Sequence, residues 1–167
     1  MAIVVSNTSL IRALAHLNRL DLLQAPYGDV WVPPAVVEEL RSPPSAHIPA
    51  VVASDIPGVF IREPVDKVAV LELRAQRLDA GESEAIVLAL EMRASDVLVD
   101  DKLARVTAQR MGLRVTGAVG VLVEAKRAGL VPAIKPLIDS LRNDLQFFIS
   151  DALRTEALQR ATEAEQD

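Results

Sequence analysis

The stretch Met1-Ala-Ile-Val-Val-Ser-Asn-Thr-Ser-Leu10 decides how the chain is read. Residues 2–5 form a short apolar run, the pattern of a strand in a parallel sheet covered on both faces. Ser6, Asn7, Thr8 and Ser9 follow at once, and all four residue types start helices well. A strand that stops at such a run and restarts as a helix delivers Asn7 to the carboxyl end of a first, central strand. Open α/β sheets bind their ligands at that edge. Asn7 also has a purely structural reading, as the cap of the helix it precedes.

Working outward, Leu10, Ile11, Leu14, Leu17 and Leu20 recur at helical spacing. Leu22-Leu23 adds a short second turn of helix, ended by Pro26-Tyr27-Gly28. Residues 29–32 read as the second strand. Pro33-Pro34 stops it and opens a helix over 35–40 that carries Glu38 and Glu39. Ser42 to Ser45 is a loop, His47 a surface residue beside it, and 48–53 is compatible with a helical turn. Residues 58–61 read as a strand and 65–78 as mixed helical pattern.

Asp79-Ala-Gly-Glu82 has the spacing of a capping box, which is a sufficient explanation of Glu82. The helix after it, 83–92, is apolar nearly all round except for Glu84 and Glu91, so it belongs in the core. A carboxylate in its first turns has to be paired, metal-bound or at a cleft edge, which singles out Glu84. Residues 96–100 read as a strand ending in Asp100-Asp101, immediately before a helix over 102–111 that Gly112 ends. A last short strand over 113–116, helices over 117–128 and 132–145, an extended piece at 147–149 and an amphipathic helix over 151–163 complete the chain. The acidic residues after it are expected to fray.

The 167 residues fit one domain, 1–167, with the helices of 132–167 packed on it, and half of them are apolar, enough for a real core. No stretch is long and apolar enough to span a membrane, and no signal peptide is read at the N-terminus. Cys is absent, which removes disulfides, thiolate catalysis and cysteine zinc sites. Only His16 and His47 offer imidazole, and they lie in different segments, which weighs against a zinc site or a histidine-based triad. The expected compartment is the cytoplasm. The net charge of −5 gives no general grip on nucleic acid, and aromatic residues are too scarce for a stacking platform. Nucleic-acid binding would have to come from a local basic patch or from metal ions.

Strand–helix alternation points to a three-layer α/β/α sandwich with a central, mostly parallel sheet. On that fold Asn7 and Asp100-Asp101 meet at one edge, and Glu39 and Glu84 come from helices that can lean over it. Three or four oxygen donors and no sulfur suit a hard cation, Mg²⁺ or Mn²⁺, which activates water and steadies phosphate charge during in-line attack. Singly each acid has a plainer reading: Asp100 or Asp101 as a helix cap, Glu38 and Glu39 as solvated residues.

Four runs carry a resemblance: Ile3-Val-Val-Ser-Asn-Thr-Ser-Leu-Ile11, Pro33-Pro-Ala-Val-Val-Glu-Glu-Leu40, Gly81-Glu-Ser-Glu-Ala-Ile86 and Val97-Leu-Val-Asp-Asp101. In order and spacing they resemble a PIN domain, and within it the bacterial and archaeal branch akin to VapC-type toxins. The likeness continues through Arg114-Val-Thr-Gly117 and Val121-Leu-Val-Glu-Ala-Lys126 and covers nearly the whole chain. It implies a Mg²⁺- or Mn²⁺-dependent endoribonuclease, the toxin of a toxin–antitoxin pair, acting on RNA as a homodimer and met by an antitoxin peptide that inserts an Arg near the acids. By position the acids fall at Asn7, Glu39, Glu84 and Asp100, with Asp101 as the neighbour and substitute of the last. Thr8 or Ser9 would hold the first loop or the metal's water, and Arg12, Lys102 and Arg105 would reach the RNA backbone.

Asn7 departs from that pattern, which has Asp there. Its carbonyl oxygen can ligate Mg²⁺, but one negative charge is missing. The alternative function is therefore a PIN fold that holds nucleic acid or a protein partner and cuts weakly or not at all. An unrelated nucleotide-binding α/β protein ranks below both, because no Gly-rich phosphate loop is present.

Overall fold

The structure is a computed structural model that describes residues 2–145 and 147–163. The strands are β1 (Val4–Ser6), β2 (Val30–Val32), β3 (Val59–Ile61), β4 (Asp96–Leu98) and β5 (Val115–Thr116). They form one sheet in the order β3-β2-β1-β4-β5, and every pairing is parallel. The helices are α1 (Thr8–His16), α2 (Asp21–Tyr27), α3 (Pro34–Arg41), α4 (Lys67–Ala75), α5 (Ala80–Glu91), α6 (Lys102–Arg110), α7 (Ala118–Arg127), α8 (Lys135–Asp144) and α9 (Asp151–Arg160). A short 3₁₀ turn spans Ala53–Asp55.

Side-chain alternation along the strands sorts the helices into two outer layers. Val4, Val30, Val32 and Leu98 point to a face covered by Leu10 and Leu14 of α1, Leu22 of α2, Leu122 of α7, Ile138 of α8 and Leu158 of α9. Val5, Val97 and Val99 point to the other, covered by Leu73 of α4, Ile86 and Leu88 of α5, and Ala104 of α6. β1 and β4 are thus buried on both sides, which is why they read as continuous apolar runs. The expected three-layer α/β/α sandwich is the observed fold.

Local chemistry explains the element ends. Asn7 caps α1, Asp66 caps α4, Asp101 caps α6 and Ser150 caps α9, each through a side-chain oxygen on a backbone amide. Asp79 and Glu82 form the full capping box of α5. Two expectations need correction. Pro26 does not end the second helix but sits inside its last turn, and the chain turns at Gly28, whose φ is 75°. Residues 48–52 are not a helical turn. Pro49 lacks an amide donor and biases Ile48 toward extended backbone. The expected fraying of the acidic end falls outside the described residues.

Candidate active site

The strand order reverses between β1 and β4, so a crevice opens outside their carboxyl ends. Asn7 sits at its floor, 3% exposed. The Asn7 amide donates to Leu98 O at 3.0 Å, which ties the end of β1 to β4. Its side-chain Oδ1 accepts from Ser9 Oγ at 3.0 Å and from Leu10 N at 3.4 Å. Asn7 therefore caps α1 and lines the cavity above it.

That cavity measures about 390 Å³. Glu39 reaches it from the last turn of α3 and is held from three sides. Its Oε1 accepts the Gly81 amide at 3.0 Å, its Oε2 accepts the Thr8 hydroxyl, and its backbone carbonyl accepts Arg12 Nη2. The Gly81 amide belongs to the first turn of α5, where the aligned peptide dipoles favour a carboxylate.

Asp79 and Glu82 line the same cavity. Burial pushes the Glu82 carboxyl up to about 7; its bond to the Asp79 amide opposes this, and the charges of Asp79, Asp101 and Glu39 add to it. Glu82 is the residue that sequence reasoning passed over, because the capping box explained it completely. The available signal was that a half-buried cap carboxylate one turn from Asn7's edge must still share space with other acids.

The remaining expected residues divide. Asp101 caps α6, its Oδ2 accepting Ala104 N at 3.0 Å, and its charge is felt at Glu82. Asp100 turns the other way, both its oxygens accepting the Ala118 amide at 3.0 and 3.2 Å at the start of α7. It lines a second cavity of about 570 Å³ along β5, together with Asp96 and Arg105. Burial pushes its carboxyl up to about 6, against the pull of the Ala118 amide and Arg105. Glu84 is pushed up by burial and rests against the Ala35 amide at the start of α3, near Lys67. It is not among the residues lining the crevice at Asn7. Arg12 does line it, and its Nε is buried without a partner. Lys102 is exposed at the start of α6. His16 and His47, far apart in sequence, both reach the cavity.

Asn7, Glu39, Asp79 and Glu82 offer oxygen donors, the chemistry of a hard cation, and the cavity's imidazoles belong to His16 and His47. Burial is the main cause that raises Glu82, and a cation would relieve the smaller part that the neighbouring acids add. Among the described residues, however, no three His, Asp or Glu side chains already converge closely enough to hold one ion. The set fits Mg²⁺ or Mn²⁺ in donor type, and Glu39 or Glu82 would have to turn to complete it.

Fold and crevice together define a small α/β/α protein with its ligand site at the switch point of a parallel sheet. The chain belongs to the PIN-domain family, whose sequence profile matches residues 3–163. No curated protein is significantly similar to it. The PIN domain is a nuclease-type fold, one that suggests a nucleic-acid substrate and that in general uses divalent metals. Among the described residues no helix is long and apolar enough to cross a membrane.

Proposed function

We propose that the chain is a Mg²⁺- or Mn²⁺-dependent endoribonuclease, the toxin of a cytoplasmic toxin–antitoxin pair akin to the VapC type. The observation that carries this reading is the group of acids beside Asn7. Glu39, the Asp79–Glu82 pair and Asp101 come from three separate parts of the chain, and burial, with the charges of Asp79, Asp101 and Glu39 adding to it, pushes the Glu82 carboxyl up to about 7. Asn7, Glu39, Glu82 and Asp101 would hold the cation. Asp100 and Glu84, expected in this role from position, are instead assigned to supporting the starts of α7 and α3. Bound there, the cation supplies Lewis-acid stabilisation of phosphate charge and a more acidic water.

The chain's own groups do the rest. Thr8 and the Gly81 amide fix the Glu39 carboxylate. Arg12, with one buried N–H unused and its Nη2 on the Glu39 carbonyl, is placed to donate to a phosphate oxygen. Burial pushes the Glu82 carboxyl up to about 7, so a cation bound there would compete with its proton. A homodimer and an antitoxin that offers a cation to the acids complete the proposal.

A second reading is a PIN-fold module that binds RNA or a protein and cuts weakly. Asn7 favours it, because a neutral ligand stands where a charge is usual, and so does Glu39, whose oxygens are already satisfied. Incubation of a mixed RNA pool with Mn²⁺ or Mg²⁺, beside EDTA, separates the two. The first reading expects cutting that EDTA abolishes and that Glu82→Gln or Asp101→Asn lowers at least tenfold. RNA binding without cutting would establish the second.

A further inference from the structure

The cavity that holds the acids is only half polar. Beyond Arg12 its wall is apolar: Pro44, Ile48 and Val51 from the loop after α3, and Leu145 and Phe147 from the segment after α8. Nothing in cation or phosphate chemistry calls for that wall. It is also held in place. Prolines 43, 44 and 49 restrict the loop, whose Val51 amide donates to Leu40 O at 2.8 Å and whose Ile48 amide donates to Ser45 O at 3.2 Å. The Phe147 amide donates to Leu141 O at 3.1 Å. The volume of about 390 Å³ lies at the low end of small-ligand pockets, roughly 300–1,000 Å³, which suits one nucleotide and excludes a duplex.

We infer that the apolar half is a nucleobase subsite. The base next to the phosphodiester held at Asn7 leaves the stack and lodges against the Phe147 ring, Leu145 and Ile48. Three observations converge on that occupant. The wall is continuous with the acids, so a nucleotide whose phosphate lies there has its base within reach of the wall. Arg12 stands at the junction with a buried Nε–H that has no partner, the donor a phosphate oxygen would take. His47 and Ser42 supply polar groups at the cavity for a base edge, while His16 Nε2 is taken up by Asp144 at 3.2 Å. Unpaired bases are commonly read in this way, by one aromatic face and a few edge contacts. This rests on the nuclease reading and narrows its substrate to RNA that is unpaired at the site.

The test uses a short single-stranded RNA carrying 2-aminopurine and an end-attached dye, titrated with the full chain in Mg²⁺. Fluorescence of the base reports its environment, and anisotropy of the dye reports binding. The parent should bind and change the 2-aminopurine signal saturably, and the same sequence as a duplex should not compete. Phe147→Ala should weaken binding about tenfold and abolish the signal change, the scale of one lost stacking contact. Phe147→Leu keeps the apolar volume and should weaken the signal change while preserving the thermal transition. Ile48→Ser should weaken binding through a second residue of the same lining. The subsite is overturned if the parent binds no single strand, if the duplex competes equally, or if folded Phe147→Leu and Ile48→Ser match the parent in both readouts. Cleavage is scored separately. A retained fluorescence response without metal-dependent cutting sinks the nuclease reading and leaves the subsite standing, whereas cutting with silent wall variants does the reverse.

Discussion

Gly81 has no side chain at the point where the Glu39 carboxylate sits. A Cβ on Gly81 would overlap Glu39 Oε2 and lie 2.9 Å from Cδ. The close approach lets the carboxylate accept the Gly81 amide on the first turn of α5 while Thr8 donates from the first turn of α1. One glutamate thus joins three helices, and it can do so only because position 81 is bare.

Gly81→Ala therefore has two opposed effects. Alanine favours a helix over glycine by about 1 kcal/mol, but expelling Glu39 forfeits a charged hydrogen bond worth about 1.5–3 kcal/mol. The expected net is a loss of about 1 kcal/mol in urea unfolding. In a Glu39→Ala background the same substitution should stabilise by up to about 1 kcal/mol. No change of sign between the two backgrounds would mean that Glu39 does not occupy that place.

Glu82 makes the site sensitive to pH. Its folded value, about 7, lies above the ordinary carboxylate value, so the folded state holds the proton more tightly than the unfolded one. Its contribution to stability is present at low pH, falls as pH rises from about 4.5 to about 7, and is lost above that. Glu82→Gln, which keeps the oxygen that accepts the Asp79 amide, should flatten the dependence and melt higher than the parent at pH 8 but not at pH 4. Mn²⁺ should bind the parent more tightly above pH 7 than below it, because the proton must leave first.

Asp100 and Asp101 are adjacent in sequence and part company in space. Asp100→Asn should leave Mn²⁺ affinity nearly unchanged and alter stability instead. Its folded value of about 6 makes the parent's stability fall between about pH 4 and 6, and the amide should remove that slope. Asp101→Asn should weaken Mn²⁺ binding while keeping the cap on α6, since Asn caps as well as Asp. Calorimetric titration of both variants checks the pair.

Much of this was legible in the chain. The alternation of short apolar strands with capped helices was enough for the parallel sheet, because the apolar residues of β1 and β4 are covered on both faces. Asn7's double part as cap and cavity floor followed from its place after β1. That Asp100 turns to the start of α7 while Asp101 caps α6 did not follow. Asp100 and Asp101 differ only in the turn that leaves β4, and the partner that decides it, the Ala118 amide, is 18 residues away. That Glu82 rather than Glu84 lines the cavity at Asn7 was hidden for a similar reason. Helical spacing puts them on different sides of α5, and only the packing of α3 against it tells which side faces Asn7. The segment 42–57 was the least legible, because its prolines limit regular structure without saying what the segment covers.

Asn7→Asp should restore the missing charge at little geometric cost, since Oδ1 already caps α1. In EDTA the extra buried charge beside Glu39 should lower the melting temperature. In Mn²⁺ the variant should be stabilised more than the parent, and its metal affinity should rise about tenfold or more, as expected when a neutral ligand becomes a charged one at a hard-cation site. An equal response of parent and variant to Mn²⁺ would take Asn7 out of the site.

The most direct measurement is the anomalous scattering of crystals soaked in Mn²⁺. The account predicts a peak between Asn7 Oδ1 and the carboxylates of Glu39, Glu82 and Asp101, with at least one of the two glutamates turned from its present position. No peak in that crevice at high Mn²⁺, or a peak only in the Asp96–Asp100 cavity along β5, would contradict it.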